Sequence, residues 1–291
     1  MTARLPIADI HPTWKPSLVR KTLLFAAVAI DLLHASLAAA QQLPSVASVG
    51  VMENPCSALP TQQGEAGTPV YEQFQTQLLL ADYSRLCRYR SANLALPPAT
   101  ATRIVFMGDS ITEGWQATRP EFFRGDRIDR GISGQTTSQM LGRFYADVIA
   151  LHPAVVHIVA GTNDIAGNSG PTSLEAIENN LRSMVDLARV HGIRVILGTV
   201  LPAARYSWRP DIDPVPSIRN LNAWIRAYAR TRGVVVVDYY TMLDDGRHGL
   251  APIDSADGVH PSAAGYAKME VALTAKLPRV ASPRRRARRT E

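Results

Sequence analysis

Ser110, Asp257 and His260 are the residues whose types could divide an acyl-transfer reaction among them. A serine hydroxyl is a weak nucleophile until a base takes its proton, so it needs an imidazole within hydrogen-bond reach. Ser110 stands in Gly108-Asp109-Ser110-Ile111-Thr112, directly after the apolar run Ile104-Val105-Phe106-Met107, where a strand should end and the chain turn. His260 lies far downstream in Asp257-Gly258-Val259-His260-Pro261. Asp257, on the same expected loop, can accept from the other ring nitrogen and hold the useful tautomer. The tetrahedral intermediate also needs donors for its oxyanion. The backbone N–H of Gly134 and the side-chain amide of Asn163 supply them, and the Ser110 N–H completes a three-donor hole.

Other residues compete for these roles. Alone, Ser110 would read as a turn serine. Asp109 and Asp164 read as braces of their turns through backbone hydrogen bonds. His152, His157 and His191 fall in or beside regular elements and read as packing or surface residues, while His248, in the polar turn after Asp244-Asp245-Gly246-Arg247, is a rival base. Trp115 and Tyr206-Ser207-Trp208 either line a pocket or pack in the ordinary way.

The elements that must position these groups follow from periodicity. Strands are expected at 103–107, 127–132, 154–160, 194–200 and 234–238, and the third has the continuous Val/Ile character of a strand buried on both faces. Helices are expected at 136–151, 173–191, 218–230 and 263–277, with Gly192 stopping the second. Such alternation predicts a parallel sheet covered by helices on both sides. In such sheets functional residues gather beyond the carboxyl ends of the strands. Ser110, Gly134 and Asn163 follow strands one, two and three, which fits that rule. Upstream, 41–70 reads as an extended lead-in, and 71–96 as one packing helix stopped by Pro97-Pro98.

Four blocks in this order, Gly108-Asp109-Ser110-Ile111-Thr112, Gly134, Gly161-Thr162-Asn163-Asp164 and Asp257-Gly258-Val259-His260-Pro261, resemble those of the SGNH, or GDSL-type, hydrolases. The resemblance covers about residues 100–277. It implies a three-layer α/β/α, flavodoxin-like fold with a five-stranded parallel sheet, and esterase or lipase activity without metal or organic cofactor. By block it implies Ser110 as nucleophile, His260 as base, Asp257 as its partner, and Gly134 and Asn163 as oxyanion donors. Ile111 stands where the four-letter family name has leucine, a conservative change.

The remaining features concern where the chain works. Residues 22–40 form a mostly apolar run led by Arg20-Lys21 and ending in Ala38-Ala39-Ala40, the three regions of an export signal. Asp31 and His34 interrupt that run and disfavour a stable membrane span. The expected domains are a signal at 1–40, a lead-in with its helix at 41–99, the hydrolase domain at 100–277 and a basic disordered tail at 278–291. A start codon near Val19 would give a more compact signal. Periplasmic or secreted localisation follows. Cys56 and Cys87, the two cysteines, can form a disulfide in an oxidising compartment or remain inert thiols; spacing alone does not fix geometry.

The net charge of +6 is no nucleic-acid signature. The tail carries six arginines and one glutamate, and residues 1–40 carry four basic and two acidic side chains, leaving the body close to neutral. No G-x-G-x-x-G or phosphate loop follows strand one, so a nucleotide binder is disfavoured. The second glycine of an α/β-hydrolase elbow is missing, and the histidines are scattered rather than clustered for a metal. The expected partner is therefore a small-molecule or carbohydrate ester. A lysophospholipase or thioesterase on longer chains, and a non-catalytic carbohydrate-binding protein, are the alternatives.

Overall fold

Ile104–Gly108 (β1) and Val155–Val159 (β3) are buried at every position, as central strands covered on both faces must be. With Arg127–Gly131 (β2), Arg194–Gly198 (β4) and Val235–Val237 (β5) they form one all-parallel sheet in the order β2-β1-β3-β4-β5. These features belong to a computed structural model that describes residues 51–61, 63–65 and 68–277. All its elements lie in the compact unit Pro55–Glu291. The expected signal at 1–40, the Val19 start and the basic tail at 278–291 lie outside the described residues.

The layers follow from which side chains each strand sends to each face. Val105, Met107, Val156, Ile158, Val195 and Leu197 meet Thr137–Asp147 (α4), Leu174–Val190 (α6) and Val215–Arg232 (α7). Phe106, Val159, Ile196 and Val237 meet Ser110–Thr118 (α3), Tyr239–Leu243 (α8) and Ala263–Thr274 (α9). The fold is the three-layer α/β/α architecture. Apolar stripes at helical spacing explain the docking: α6 buries Ile177, Leu181, Met184, Val185 and Ala188. Each fully buried large side chain contributes roughly 1.5–3 kcal/mol.

Register sets the stage for chemistry. Gly108 is level with Gly131 on one side and Val159 on the other. The chain therefore leaves β1, β2 and β3 at one height, and three loops open side by side. In this strand order the direction of winding reverses between β1 and β3, which leaves a crevice at that edge.

The lead-in departs from its expected single helix over 71–96. Pro69–Ala81 (α1) ends at Asp82, and Arg90–Leu94 (α2) starts anew, with a turn-rich loop between them. Asp82 is the reason. Its carboxylate accepts from Leu86 N–H at 2.7 Å and Cys87 N–H at 2.9 Å, donors that a continuous helix would use internally. A disulfide joins Cys87 to Cys56, with Cα atoms 5.5 Å apart. Leu79, Leu80, Tyr83 and Leu86 consequently stay exposed, and Leu78 alone is buried within α1. The short helix Thr162–Ile165 (α5), together with α3 and α8, was not anticipated from periodicity.

Candidate active site

Gly108 has no side chain because α3 sits too close: a Cβ there would fall 2.0 Å from Thr112 Oγ1 and 2.9 Å from the Val159 carbonyl. That approach lets the helix begin at once. Asp109 caps it by accepting from Ile111 N–H at 2.9 Å, so Ser110 occupies the first turn, where backbone N–H groups lack intrahelical partners. Tyr266 fastens the same turn from α9, donating to the Ile111 carbonyl at 2.8 Å.

His260 reaches this turn from the loop before α9. Its Nε2 lies 2.9 Å from Ser110 Oγ, and its Nδ1 lies 2.7 Å from Asp257 Oδ2. The second oxygen of Asp257 accepts from the backbone N–H of Val259 at 2.9 Å and of His260 at 2.8 Å, and from Ser255 Oγ at 3.1 Å. Partial burial would raise the Asp257 carboxyl. The His260 ring and these N–H groups outweigh that and hold it well below the usual carboxylate range. Asp257 thus remains anionic, which is what orienting an imidazole requires.

The other two loops converge on the turn. Gly134 adopts φ +78°, a left-handed conformation that favours glycine, and it is exposed. Its neighbour Ser133 is pinned by Glu113 of α3, which accepts from the Ser133 N–H at 2.9 Å and Oγ at 2.5 Å. Arg88 of the lead-in holds the other oxygen of Glu113 at 3.0 Å. Asn163, in α5, turns its amide nitrogen toward the same place, donating to the Gln135 carbonyl at 3.1 Å and to Asp109 Oδ2 at 3.2 Å. Asn168 donates to Asn163 Oδ1 at 2.7 Å and fixes the amide's orientation. Burial pushes the Asp109 carboxyl up to about 6, against the opposing pull of Ile111 N–H and His260, with Asp164 raising it further.

Beneath these loops, Arg143 is fully buried and ties them together. It donates to the Gly108 carbonyl at 3.1 Å, to Gln135 Oε1 at 2.6 Å and to Asp147 at 3.0 Å. Asp164 receives the Thr137 backbone N–H and hydroxyl, anchoring the start of α4 to the loop after β3. Among the described residues no group of three His, Cys, Asp or Glu side chains is placed to hold a metal ion.

Residues 106–268 match the family model described as GDSL-like Lipase/Acylhydrolase, more than half of the chain. The chain belongs to the GDSL-like lipase/acylhydrolase family. Esterase TesA of Pseudomonas aeruginosa is 29% identical over 189 residues, which span 59% of this chain and 85% of that protein. YqeF, an uncharacterized lipoprotein of Bacillus subtilis, is 36% identical over 117 residues, 34% of this chain and 48% of that one. The crystal structure of a GDSL-like lipase from Bacteroides thetaiotaomicron is 43% identical, with a TM-score of 0.65, covering 67% of this chain and 98% of that one. The protein is accordingly a carboxylic ester hydrolase of the GDSL-like type. Among the described residues no helix is long and apolar enough to cross a membrane.

Within this GDSL-like site the competing residues find other work. His248 bonds Tyr240 within its own turn, its Nδ1 3.0 Å from the hydroxyl. Trp115 is buried in the core against Phe122 and Tyr266 and donates to Glu270 at 3.2 Å. His157 lies fully buried in β3 against Tyr239. Trp208 stacks on Tyr206 and donates to Asn168 Oδ1 at 3.1 Å. Asn168, Glu113, Gln135 and Ser255 were not singled out from sequence. Only Asn168 carried a local signal, standing in the turn Gly167-Asn168-Ser169-Gly170.

Two clefts adjoin the site. One of about 350 Å³ runs from α1 to Gly134 and is lined by Gln75, Tyr83, Arg85, Gln139, Asn168 and Ser169 among others. Another of about 280 Å³ lies beside Asp257 and includes Arg205 and Ser255. A larger one of about 550 Å³ touches Asp164 but none of Ser110, Gly134, Asn163, Asp257 or His260.

Proposed function

We propose that this GDSL-like hydrolase is an exported serine esterase that cleaves short-chain acyl esters, including acetylated carbohydrates, through an acyl-enzyme on Ser110. The observation that carries this reading is the unbroken chain Ser110 Oγ, His260, Asp257, with separations of 2.9 and 2.7 Å. His260 takes the Ser110 proton as Oγ adds to the ester carbonyl carbon. The oxyanion so formed accepts from the N–H groups of Ser110 and Gly134 and from the Asn163 amide, which gives up its long bond to Asp109. Collapse expels the alcohol, protonated by His260. A water deprotonated by His260 then adds to the acyl carbon, releasing the acid and restoring the Ser110 hydroxyl.

The mixed lining supports a short acyl group or a sugar. The cleft at Gly134 is short and sets amides and hydroxyls beside Leu79 and Ile132, a mixed wall that suits a small acyl group or a sugar better than a long alkyl chain. Trp208 is 39% exposed, leaving ring surface for a sugar to stack on. The Cys56–Cys87 disulfide supports an oxidising compartment, in keeping with the signal-like N-terminus.

Steady-state hydrolysis of p-nitrophenyl esters from acetyl to palmitoyl, with and without acetylated oligosaccharides, tests the reading. Rates are expected to be highest for the shortest chains and to vanish in Ser110→Ala with the circular dichroism unchanged. Undiminished turnover in Ser110→Ala would remove the nucleophile. A profile rising toward palmitoyl would replace the short-chain reading with a lysophospholipase or thioesterase.

A further inference from the structure

Arg85 lines the cleft that leads to Gly134, and among the described residues no carboxylate pairs directly with its guanidinium. Among the described residues its guanidinium makes one side-chain hydrogen bond, a long 3.5 Å contact to Gln75 Oε1. Its neighbour Arg88 is neutralised by Glu113. The nearest acid in sequence, Asp82, has both carboxylate oxygens engaged by the backbone N–H groups of Leu86 and Cys87. Half-burial lowers the guanidinium pKa, with Asp82 acting the other way, and arginine nonetheless keeps its charge. Asp82 and Glu113 act on this half-buried guanidinium through space, but neither pairs with it directly, which leaves hydrogen-bond donors facing the cleft.

The backbone that presents Arg85 is held at a cost. Arg85 sits at φ +57°, a conformation that a side chain with a Cβ rarely adopts. Its turn is fastened from several directions. Arg85 N–H donates to the Asp82 carbonyl at 2.8 Å, and Arg88 N–H to the Arg85 carbonyl at 3.0 Å. Gln135 and Gln139 donate to the carbonyls of Ser84 and Tyr83 at 3.1 and 3.0 Å. Two residues on, Cys87 is cross-linked to Cys56. The same Gln135 whose side chain holds this turn offers its carbonyl to Asn163. The cation is therefore built into the rim of the site rather than carried on a loose surface loop.

We infer that Arg85 is a specificity residue for esters bearing a carboxylate or similar anionic group, which the guanidinium receives in the cleft beside Gly134 while the ester carbonyl faces Ser110. The inference rests on Ser110 as nucleophile and on the cleft as the substrate's place. The anionic group could stand on the acyl part, as in a dicarboxylic half-ester, or on the alcohol part, as in an acetylated uronic acid. The chemistry that Arg85 recognises is the same in both.

Two matched pairs of substrates separate these sources: mono-p-nitrophenyl glutarate against p-nitrophenyl pentanoate, and acetylated methyl glucuronide against acetylated methyl glucoside. The full-length enzyme is expected to favour the anionic member of one pair by about tenfold in kcat/KM, the worth of one charge-assisted contact. Arg85→Gln should abolish that preference mainly through KM, Arg85→Lys should keep part of it, and Arg85→Glu should reverse it. Should Arg85→Gln fold poorly, Arg85→Asn serves, because asparagine tolerates the left-handed backbone. Equal rates on both members of both pairs, or a preference surviving Arg85→Gln, would overturn the role of Arg85 and leave the esterase reading intact. Hydrolysis of the neutral esters that persists in Ser110→Ala would instead overturn the nucleophile, and this inference with it.

Discussion

Asn163 is held on both ends of its amide, and that arrangement decides how well it can serve an oxyanion. Its nitrogen donates to Gln135 and Asp109, and its oxygen receives Asn168, so the group is oriented before substrate arrives. Removing Asn168 frees the amide to rotate and leaves Trp208 without its acceptor. Asn168→Ala is expected to lower kcat by about tenfold with little change in KM, the equivalent of one positioning hydrogen bond. Steady-state kinetics on a short-chain ester checks this; a raised KM with kcat intact would make Asn168 a substrate-binding residue instead. That Ser110, Asp257 and His260 come together was legible because a Gly-Asp-Ser turn after an apolar strand and a distant Asp-x-x-His loop stand in one chain, while Ser110 alone would read as a turn serine. The bracing of Asp109 against Ile111 N–H was legible too, since a turn aspartate accepts from the backbone N–H two residues on. Its second contact, to Asn163, was not. Glu113, Gln135 and Asn168 act through partners on other elements, and no local spacing encodes that.

At the scale of elements, the strand and helix alternation was readable because each buried strand is an unbroken apolar run and each long helix carries an apolar stripe. The sheet order was not readable from the strands; alternation gave a parallel sheet covered on both sides, and the flavodoxin-like arrangement came only as what the resemblance to the SGNH hydrolases implies. The apolar spacing of the lead-in predicts one helix over 71–96, and the structure has two. Asp82 captures the backbone and the chain turns toward Cys87 instead. That turn is what places Arg88 on Glu113 and Tyr89 on the Gly131 carbonyl, so the lead-in supports the loop that carries Gly134. The disulfide spans 31 residues of sequence. Opening it should cost about 4 kcal/mol by the loop-entropy argument. Thermal unfolding of Cys56→Ser/Cys87→Ser against the oxidised protein is expected to show that loss, accompanied by reduced kcat. An unchanged midpoint would mean that hydrogen bonds alone secure the turn.

For the whole molecule, formal charge was countable from sequence while the cost of buried charge was not, because burial is a property of the fold. Asp129 of β2 and His157 of β3 are both buried, and they pull stability in opposite directions as pH changes. Burial pushes the Asp129 carboxyl up to about 7, with Gly131 N–H opposing and Glu113 reinforcing, and burial pushes His157 down to about 3. Between about pH 4, the ordinary carboxylate range, and pH 7, the folded state keeps an Asp129 proton that the unfolded chain has released, so this group's contribution falls as pH rises. Between about pH 3 and 6.5 the unfolded chain binds a proton at His157 that the folded state refuses, so that contribution rises with pH. The two slopes, each at most about 1.4 kcal/mol per pH unit, oppose one another over most of this range. Asp129→Asn keeps an oxygen for the Gly131 N–H, which Asp129 Oδ1 accepts at 2.8 Å, and removes the titration. Its stability relative to the wild type should therefore climb steadily from about pH 4 to pH 7 and level off above. Denaturant unfolding of both proteins at half-unit pH steps measures that difference directly. A difference that stays flat across the range would show that Asp129 carries its charge in the folded protein despite its burial, with Arg130 and Arg143 stabilising it more than desolvation opposes it.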